Sequence, residues 1–392
     1  MELITAKMQD KTLCLMAHGR IDTNNAALAE ELVLNFCKEN DTEQVVFDAE
    51  DLEYISSAGL RMVLRLRKTK QQLRIVNASA EVYDIFDMTG FTEMIPVEKA
   101  YRKMSVDGCD VVGRGAKGTV YRYNGDTVVK VYNNPDCLPE IQRERELARK
   151  AFVLGIPTAI SYDVVKVGDK FGSVFELLDA KSYAQLIAEH PENAQQYVPE
   201  YAKLLRQIHD TDVKAEDMPD AKDLVFKWLE TDKKYLAAQD YEKLEGMIKA
   251  LPDRLKMIHN DYHMNNLMLQ NGETLLIDMD TLSHGHPIIE LANIYISYVC
   301  FAKINPEITK EFFGFSNEIT QKLWEDFLPA YLGTNDPERL QEVEQKIKLL
   351  AYVRLLRHFA RRDPEHPDSK KAIALTTTEI PELLKKFETL DF

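Results

Sequence analysis

Three glycines, Gly113, Gly115 and Gly118, set the strongest constraint on the fold because of the residues that come after them. In a dinucleotide-binding unit, glycines with this spacing join a strand to a helix, but here the chain continues from Thr119 into a β-branched run typical of another strand. A P-loop would have a lysine directly after its last glycine, and Thr119 stands there instead. The glycines therefore predict a loop that covers phosphate groups between two strands.

The second strand leads into a lysine that needs a partner. Asn124-Gly125 predicts a two-residue hairpin turn, which would pair Thr119 with Lys130 beneath the glycine loop. A lysine between valines is costly to bury without an anion, although an edge-strand lysine that reaches solvent is the alternative. On the helix that follows, Glu144 shares a face with apolar residues. We therefore predict Glu144 as the partner of Lys130, with Glu146 as the alternative if the helix register differs.

A second hairpin is predicted within IHNDYHMNNLMLQNGETLLIDMD, residues 258–280. A two-residue turn at Asn271-Gly272 pairs Asn266 with the residue before Asp278. An amide and a carboxylate held together are oxygen donors suited to Mg²⁺. Asp261 lies in the preceding loop, where it could accept a proton from a substrate hydroxyl.

Each of these side chains also has a structural interpretation. Asp261 could cap a turn, Asn266 could bind loop backbone, and Asp278 could lie at a solvated strand end. A zinc site is the rival chemistry, and its candidate ligands are His259, His263, His284 and His286. The spacing of these histidines lacks the HExxH pattern. The order of glycine loop, lysine, acidic base and two metal ligands favours phosphoryl transfer.

The composition limits partners and location. The formal net charge of -15 argues against a nucleic-acid backbone as a partner and would make a cationic substrate easier to attract. The five cysteines show no ligand spacing and predict reduced thiols in a cytosolic protein. The first residues, MELITAKMQDKTL, lack a signal-peptide core, and no uncharged apolar run reaches the roughly 20 residues of a membrane span. We expect a cytoplasmic protein without a membrane partner.

The pattern of predicted strands and helices changes near residues 101–105. Before this point, strand-like and helix-like segments alternate, which predicts a small α/β domain over residues 1–103. Hairpin signals and one helix then give way to mostly helical patterns, which predicts an α+β domain over residues 104–392. Within it we expect an N-lobe over about 104–180 and a C-lobe over about 181–392.

The second domain resembles the aminoglycoside phosphotransferase and choline kinase group, relatives of protein kinases with the same two-lobed α+β fold. The resemblance is carried by GRGAKGTV, VVKVY, the helix ending in GIPTA, YAKLLRQIHD, HNDYHMNN and LLIDMD. It implies that ATP and Mg²⁺ are used to phosphorylate a hydroxyl group of a small molecule.

The resemblance also implies roles for single residues. Asp261 matches the catalytic base, Asn266 and Asp278 match the metal ligands, and Lys130 with Glu144 matches the phosphate-orienting ion pair. His259 matches the histidine that supports the catalytic loop. The resemblance implies nucleotide contacts by Gly113, Gly115, Gly118, Val120, Lys130 and Glu176. Glu176 lies in the segment 175–178, which matches the adenine-binding hinge by its position.

Two features depart from the group or add to it. Glu290 stands where relatives often place an aspartate, and we expect it to keep a packing role. Substrate contacts in the group come from C-terminal helices, and here a predicted amphipathic helix carries Arg354, Arg357, Arg361 and Arg362. We expect a solvated face for these arginines, the alternatives being contact with an anionic substrate or with the other domain.

The first domain resembles the STAS domain of bacterial anti-sigma factor antagonists. VVFDAEDLEYISSAGLRMVLRL and LRIVNASAEVYDIFDMTGFTEMIPV carry the resemblance. It implies that Ser57 is phosphorylated by a partner kinase, at a helix start where free backbone N–H groups favour a phosphate. Ser56 replaces the usual preceding aspartate, and the alternative is that both serines cap the helix.

These domains together predict a metabolite kinase that a STAS domain regulates or brings to a protein partner. One alternative makes a protein serine the acceptor, Ser57 included. Another is a signalling module that binds nucleotide without catalysis.

Overall fold

The computed structural model describes residues 2–9, 11–40, 42, 44–115, 117–178 and 180–392. The chain divides into two compact units, one of Met1–Ser105 with Val164–Asp169 and one of Val106–Asp163 with Lys170–Phe392. Within the described ranges, every helix is too short or too polar to cross a bilayer. The domain and lobe limits set above, at residues 103/104 and 180/181, stay predictions.

The first unit is a mixed sheet with helices between its strands. Its strands are β1 (Ile4–Gln9), β2 (Thr12–Ile21), β3 (Gln44–Ile55), β4 (Gln72–Ala78), β5 (Val97–Lys99) and β6 (Arg102–Lys103). Its helices are α1 (Ala26–Glu39), α2 (Ser57–Thr69) and α3 (Ala80–Met88), with a 3₁₀ turn at Phe91–Glu93. The sheet order is β1-β2-β3-β4-β5. Only β1 and β2 pair antiparallel, and the later strands are parallel because a helix connects each to the next.

Alternating apolar residues place the core of this unit. In β2, Leu13, Leu15 and Ala17 are fully buried, as the two-residue period of a half-covered strand requires. At the start of α2, Ser56 is the N-cap, and its Oγ accepts a hydrogen bond from the Gly59 amide at 3.4 Å. Ser57 is the first helical residue and is exposed. The capping alternative therefore applies to Ser56, and the hydroxyl of Ser57 remains accessible.

The second unit begins with an antiparallel sheet that has the order β11-β9-β8-β7. The elements of this part are β7 (Asp110–Arg114), β8 (Gly118–Arg122), β9 (Thr127–Tyr132), α4 (Leu138–Val153) and β11 (Lys170–Glu176). Between α4 and β11 the chain forms β10 (Asp163–Val167), which belongs to the first unit from Val164 onward. The strand-loop-strand arrangement around the glycines is confirmed, since β7 and β8 pair directly.

The rest of the second unit is mostly helical. Its helices are α5 (Tyr183–Glu189), α6 (Val198–Asp210), α7 (Ala221–Asp232), α8 (Ala238–Lys249), α9 (Ile288–Tyr295), α10 (Phe301–Ile304), α11 (Pro306–Phe313), α12 (Asn317–Leu332), α13 (Pro337–Ala360) and α14 (Pro367–Leu384). Its short strands are β12 (Lys181–Ser182), β13 (Met257–Ile258), β14 (Leu267–Gln270), β15 (Glu273–Leu276) and β16 (Ser283–His284). There are 3₁₀ turns at Pro191–Tyr197 and Met279–Thr281, and a π-helical turn, Ile296–Cys300, joins α9 to α10.

The α13 helix forms the centre of this helical part. Five consecutive residues, 349–353, are buried, so apolar side chains surround the helix instead of forming one stripe. A helix buried on most sides is packed in a core, which corrects the prediction of an amphipathic helix, although Arg361 and Arg362 at its end are exposed as predicted.

One of the two predicted hairpin registers is confirmed. Asn271 and Gly272 both have positive φ, and Leu267 pairs with Leu276 as the two-residue turn requires. The Ile277 amide then donates to the Asn266 carbonyl at 2.9 Å. Asn266 therefore faces the residue before Asp278, as predicted.

The other predicted register is wrong by one residue. Lys130 pairs with Val120, and Thr119 pairs with Val131. The loop includes Asp126, whose amide donates to Asn124 Oδ1 at 3.2 Å, so Asn124-Gly125 does not form a two-residue turn. An asparagine side chain that accepts from the backbone two residues later stabilises this longer loop.

Candidate active site

Lys130 of β9 forms a buried ion pair with Glu144 of α4. Its Nζ lies 3.1 Å from Glu144 Oε1. The Tyr132 hydroxyl donates to Glu144 Oε2 at 3.0 Å, and burial raises the pKa of Tyr132 far enough to keep this donor protonated. Glu146, the alternative partner, instead lies 2.8 Å from Lys150 Nζ. The pairing of Lys130 with Glu144 is therefore what the structure contains.

Lys130 also contacts Asp278, which follows β15. The distance from Lys130 Nζ to Asp278 Oδ1 is 3.6 Å. Asp278 has a φ of 63°, a left-handed conformation that few residues other than glycine and asparagine adopt without strain. Its Oδ1 is buried and has no hydrogen-bond partner among the described residues. One ammonium group thus lies between two carboxylates from separate parts of the unit.

A loop after β13 places Asp261 and Asn266 together. Asn266 Nδ2 donates to the Asp261 carbonyl at 2.9 Å, and the Asn266 amide donates to the His263 carbonyl at 2.8 Å. These bonds fix the loop backbone, so the structural interpretation of Asn266 is correct for its Nδ2. They leave Asn266 Oδ1 without a hydrogen bond among the described residues.

The Asp261 carboxylate is ionised and open to a cleft. Its Oδ1 lies 3.5 Å from His263 Nε2, and 41% of its side chain is exposed. Partial burial raises the pKa of Asp261, but His263, His259 and Arg354 outweigh it and hold the pKa well below the usual range. The carboxylate can therefore accept a hydrogen bond at neutral pH.

His259 supports this loop from within the core. It is fully buried, and its Nδ1 accepts a hydrogen bond from the Asp261 amide at 3.3 Å. Burial lowers the pKa of His259 and keeps the ring neutral, as an acceptor at Nδ1 requires. His259 therefore positions the backbone of Asp261.

Glu290 of α9 holds the same loop from the other side. Its Oε2 accepts from the His259 amide, and its Oε1 accepts from the Tyr262 amide at 3.2 Å. His209 Nε2 lies 3.5 Å from Oε2. The expected packing role of Glu290 is thus specific, because a buried carboxylate satisfies two backbone donors of the loop that carries Asp261.

We expect Glu290→Gln to lower the free energy of unfolding at pH 7 by about 1–3 kcal/mol, because the amide NH₂ would face a backbone donor. Burial raises the pKa of Glu290, but His209 and His259 hold it below its ordinary value of 4.5. The contribution of this carboxylate is therefore complete above pH 4.5 and is lost as the pH falls through the lower folded pKa. Urea unfolding at pH 7 and below pH 4.5 measures both effects.

Glu273→Gln is the matched control, since this side chain is exposed on β15. It should change the free energy of unfolding by no more than about 0.5 kcal/mol. A Glu290→Gln protein with wild-type stability and an unchanged pH dependence would contradict the role given to Glu290.

The glycine loop depends on close approach at Gly118. A Cβ there would clash with the Val131 carbonyl oxygen, which is rigid backbone of β9. Gly115 bonds across the loop, its amide donating to the Gly118 carbonyl at 2.9 Å, and Gly113 pairs with Val120. The spacing of the glycines therefore has a steric reason at Gly118.

We expect Gly118→Ala to destabilise the β8–β9 hairpin by about 1–3 kcal/mol, because the added methyl group overpacks against backbone. Gly125→Ala is the control, since a Cβ at Gly125 would meet no atom within 4 Å. Hydrogen exchange of the β8 and β9 amides compares the two variants. Equal protection in both would show that the close approach at Gly118 has no energetic effect.

An ion pair that the sequence analysis did not predict joins the glycine loop to the segment that follows β15. Lys117, between Gly115 and Gly118, contacts Asp280, two residues after Asp278. The signal was present as a lysine inside the glycine motif and a second aspartate in LLIDMD. Neither residue type alone distinguishes such a pair from two solvated charges.

The two other predicted nucleotide contacts lie in the same sheet as Lys130. Val120 is its cross-strand partner on β8 and is half-buried. Glu176 ends β11, where it pairs with Thr127 of β9 and is exposed. The structure describes no contact between the Glu176 side chain and the other predicted residues.

Three of the four histidines of the zinc alternative contact other residues instead of one another. His259 Nδ1 accepts from the Asp261 amide, His263 contacts the Asp261 carboxylate, and His286 Nε2 lies 2.8 Å from Asp391. Over the described ranges, no three His, Cys, Asp or Glu residues form a group able to hold a metal ion.

Asn266 and Asp278 provide a different donor set. It offers one carboxylate whose buried Oδ1 lacks a hydrogen-bond partner among the described residues and one amide oxygen. This set fits Mg²⁺, which takes one or two protein oxygens and completes its shell with water and phosphate.

A cleft opens beside Asp261. Its lining includes Asp261, His263, Ser297, Phe301, Phe312, Arg354 and His358. Arg354 and Arg357 are partly buried, whereas Arg361 and Arg362 are exposed. The predicted solvated face is therefore wrong for Arg354, because the buried α13 turns this side chain into the cleft.

Comparison with known proteins identifies both parts of the chain. The model of the phosphotransferase enzyme family matches residues 109–341, and the STAS domain model matches residues 4–104. BtrV of Bordetella bronchiseptica, named as a candidate anti-sigma factor antagonist, is 37% identical over 79 residues, which cover 19% of this chain and 68% of that protein.

Solved aminoglycoside phosphotransferases are also similar to this chain. The ternary complex of APH(2″)-IIa with streptomycin and ATP is 14% identical, with a TM-score of 0.47, and covers 77% of this chain and 97% of its own. A thermostable mutant of APH(4)-Ia is 13% identical, with a TM-score of 0.48, and covers 71% and 94%. The two family models confirm both resemblances inferred from the sequence. The mixed sheet of the first unit and the sheet and helices of the second agree with the predicted α/β and α+β fold classes. The chain belongs to the phosphotransferase enzyme family and carries a STAS domain at its N-terminal end.

Proposed function

We propose that the second unit transfers the γ-phosphate of ATP to a hydroxyl group of a small molecule, and that the STAS domain regulates this activity or brings it to a protein partner. The observation that carries the proposal is the position of Lys130, 3.1 Å from Glu144 and 3.6 Å from Asp278. A lysine held by one carboxylate and directed at a second is arranged to orient phosphate groups. Family membership supports the same class of reaction.

The nucleotide lies against the sheet in this proposal. Lys130 neutralises phosphate charge, and Glu144 fixes its direction through a pair that burial keeps intact. The amides of the glycine loop cover the phosphates. The remaining contacts come from Gly113 of β7, Gly115 of the loop, Gly118 and Val120 of β8, and Glu176 at the end of β11.

Asn266 and Asp278 would hold Mg²⁺ through Oδ1 atoms that have no hydrogen-bond partner among the described residues. When bound, Mg²⁺ neutralises charge on the nucleotide phosphates. The left-handed backbone of Asp278 fixes the direction of its carboxylate toward Lys130.

Asp261 orients the acceptor hydroxyl. Its low pKa makes it a weak base. This suits phosphoryl transfer, which depends more on positioning the acceptor hydroxyl than on removing its proton early. The hydroxyl proton passes to Asp261 as the new phosphate ester forms. His259 and Asn266 keep the carboxylate at the cleft because each bonds the Asp261 backbone.

A second candidate function is a signalling module of the anti-sigma antagonist type. The exposed position of Ser57 at the start of α2 supports it, since Ser56 alone supplies the cap and leaves the Ser57 hydroxyl accessible. In this alternative Ser57 is phosphorylated, or nucleotide binds without catalysis. The combination of Asp261, Asn266 and Asp278 argues against a non-catalytic unit, because nucleotide binding alone does not need a base.

We infer a cytoplasmic location, since all five cysteines are free thiols and the reaction consumes ATP. The acceptor is a small molecule in this proposal, and neither a nucleic acid nor a membrane takes part.

Purified protein incubated with γ-labelled ATP and Mg²⁺, with and without a metabolite extract, tests the proposal. We expect label in a small molecule, and we expect this transfer to be lost in Asp261→Asn and retained in Ser57→Ala. Label that appears on the protein and is lost in Ser57→Ala would favour the signalling alternative. Nucleotide binding without transfer in any condition would contradict the enzyme assignment.

A further inference from the structure

We propose that the cleft beside Asp261 takes an anionic hydroxyl compound, whose carboxylate or phosphate group binds Arg354. This inference rests on the proposed function and names the class of its acceptor. It differs from the expectation that the net charge of -15 raises, which is a cationic substrate.

Arg354 is the cation that the cleft offers. It lines the cleft from α13, and its guanidinium carbon lies 5.3 Å from the centre of the Trp228 ring. Stacking on an aromatic face holds the guanidinium in place and leaves its N–H groups free to bind an anion. Among the described residues, no carboxylate forms an ion pair with Arg354. Asp261 acts on Arg354 electrostatically without forming an ion pair with it, so a ligand anion in the cleft would supply the direct partner of this partly buried charge.

Other positive charges act on His358, which lines the cleft. The pKa of His358 is lowered to about 4, first by burial and then by the charges of three arginines. These are Arg362, Arg354 and Arg357, so three guanidinium groups act on this ring. Arg357 has a buried Nε without a hydrogen-bond partner among the described residues. Positive charges are therefore the ones that act on this part of the cleft wall, in a chain that is acidic as a whole.

The cleft offers little to a cation. Asp261 is the one carboxylate among its lining residues, and His263 lies 3.5 Å from it. A polycationic acceptor would have to share this carboxylate with the reaction and lie beside the positive charge of Arg354. Phe301 and Phe312 give the cleft apolar walls, which suit the carbon skeleton of a small acceptor.

The charge preference can be measured without knowing the acceptor. Ser297 lines the cleft, so Ser297→Cys places a thiol there, and Thr378→Cys places a matched thiol on the exposed face of α14. Each variant is treated with sulfonatoethyl and trimethylammonioethyl methanethiosulfonate, one anionic and one cationic, and peptide mass spectrometry follows the label at that cysteine. We expect the anionic-to-cationic rate ratio to be about tenfold higher at position 297.

The same labelling shows whether Arg354 is the cause. In Ser297→Cys, a further Arg354→Met change should bring the ratio down to that of the Thr378→Cys thiol, whereas Arg361→Met should leave it unchanged, since Arg361 is exposed. Equal ratios at the two thiols, or a ratio unaffected by Arg354→Met, would overturn the proposal. The assay needs no turnover, so a failure of phosphoryl transfer and a failure of this inference are separate results.

Matched sugars then distinguish the two sources of negative charge. Gluconate, glucose, glucosamine and glucose 6-phosphate share one skeleton and differ in charge, and each is tested for protection of the Ser297→Cys thiol. Protection by gluconate indicates a carboxylate, and protection by glucose 6-phosphate indicates a phosphate. Protection by glucosamine alone would contradict the proposal, and where no sugar protects, the labelling ratio decides.

Discussion

Asp278→Asn is expected to reduce phosphoryl transfer by at least about 10³-fold, because it removes the one carboxylate of the proposed metal site. The Asp278 Oδ1 atom is buried without a hydrogen-bond partner among the described residues and lies 3.6 Å from Lys130 Nζ. An amide in its place offers a neutral oxygen, so the affinity for Mg²⁺ falls while the shape of the site is kept.

Asparagine is the informative substitution at this position. The φ of 63° is tolerated by asparagine but strains alanine, so Asp278→Ala would mix loss of the ligand with a change in the backbone. Transfer from γ-labelled ATP is measured over a range of Mg²⁺ concentrations, with thermal unfolding as the check on folding. Asp326→Asn is the control, since Asp326 forms an i,i+4 pair with Lys322 on α12. Wild-type turnover in a folded Asp278→Asn protein would refute the metal site.

Asp261→Asn is expected to reduce turnover by about 10²–10⁴-fold, because an amide cannot accept the hydroxyl proton. The substitution should leave nucleotide binding intact, since the contacts of the Asp261 backbone with His259 and Asn266 remain. Measuring kcat and nucleotide affinity separately therefore distinguishes the two residues. Asp261→Asn should lower kcat alone, whereas Asp278→Asn should lower kcat and weaken nucleotide binding.

The same variant tests whether Asp261 acts on the acceptor. Nucleotide affinity is measured by calorimetry with ADP and Mg²⁺, and transfer is measured with the labelled product of the metabolite assay. Asp326→Asn again serves as the control. A folded Asp261→Asn protein that transfers phosphate at the wild-type rate would assign the base to another group.

Sequence periodicity was sufficient where a local pattern decides the geometry. Asn271 and Gly272 both adopt positive φ, so the turn type, the register and the neighbours of Asp278 follow from two residues. Helical spacing likewise placed Glu144 on the inner face of α4 and Glu146 on the outer one. The neighbours of Lys130, Glu144 and Asp278, were therefore predictable from patterns within single elements.

The same kind of pattern failed at Asn124-Gly125, where contacts from elsewhere determine the loop. The Asp126 carbonyl accepts a hydrogen bond from the Leu177 amide at 2.8 Å, and Asn124 Oδ1 accepts from the Asp126 amide. These bonds include Asp126 in the loop and shift the partner of Lys130 by one residue. A dipeptide motif contains no information about Leu177.

Arg354 could not be assigned from sequence because its environment is made by packing. The residues of α13 look amphipathic on a helical wheel, but other helices cover it on most sides. The side chain then meets Trp228 of α7, more than a hundred residues earlier in the chain. Long-range contacts of this kind decide which charges face solvent and which face the cleft.

The π-helical turn at Ile296–Cys300 suggests how the acceptor range of such an enzyme could change during evolution. This turn holds one residue more than an α-helical turn would, and both Ser297 within it and Phe301 after it line the cleft. Deleting a single residue would restore regular helix and leave the following side chains on the same face, since the wide turn only accommodates that additional residue. A one-codon deletion within the turn would thus change the wall at Ser297 while Phe301, Asp261 and Asp278 stay in place.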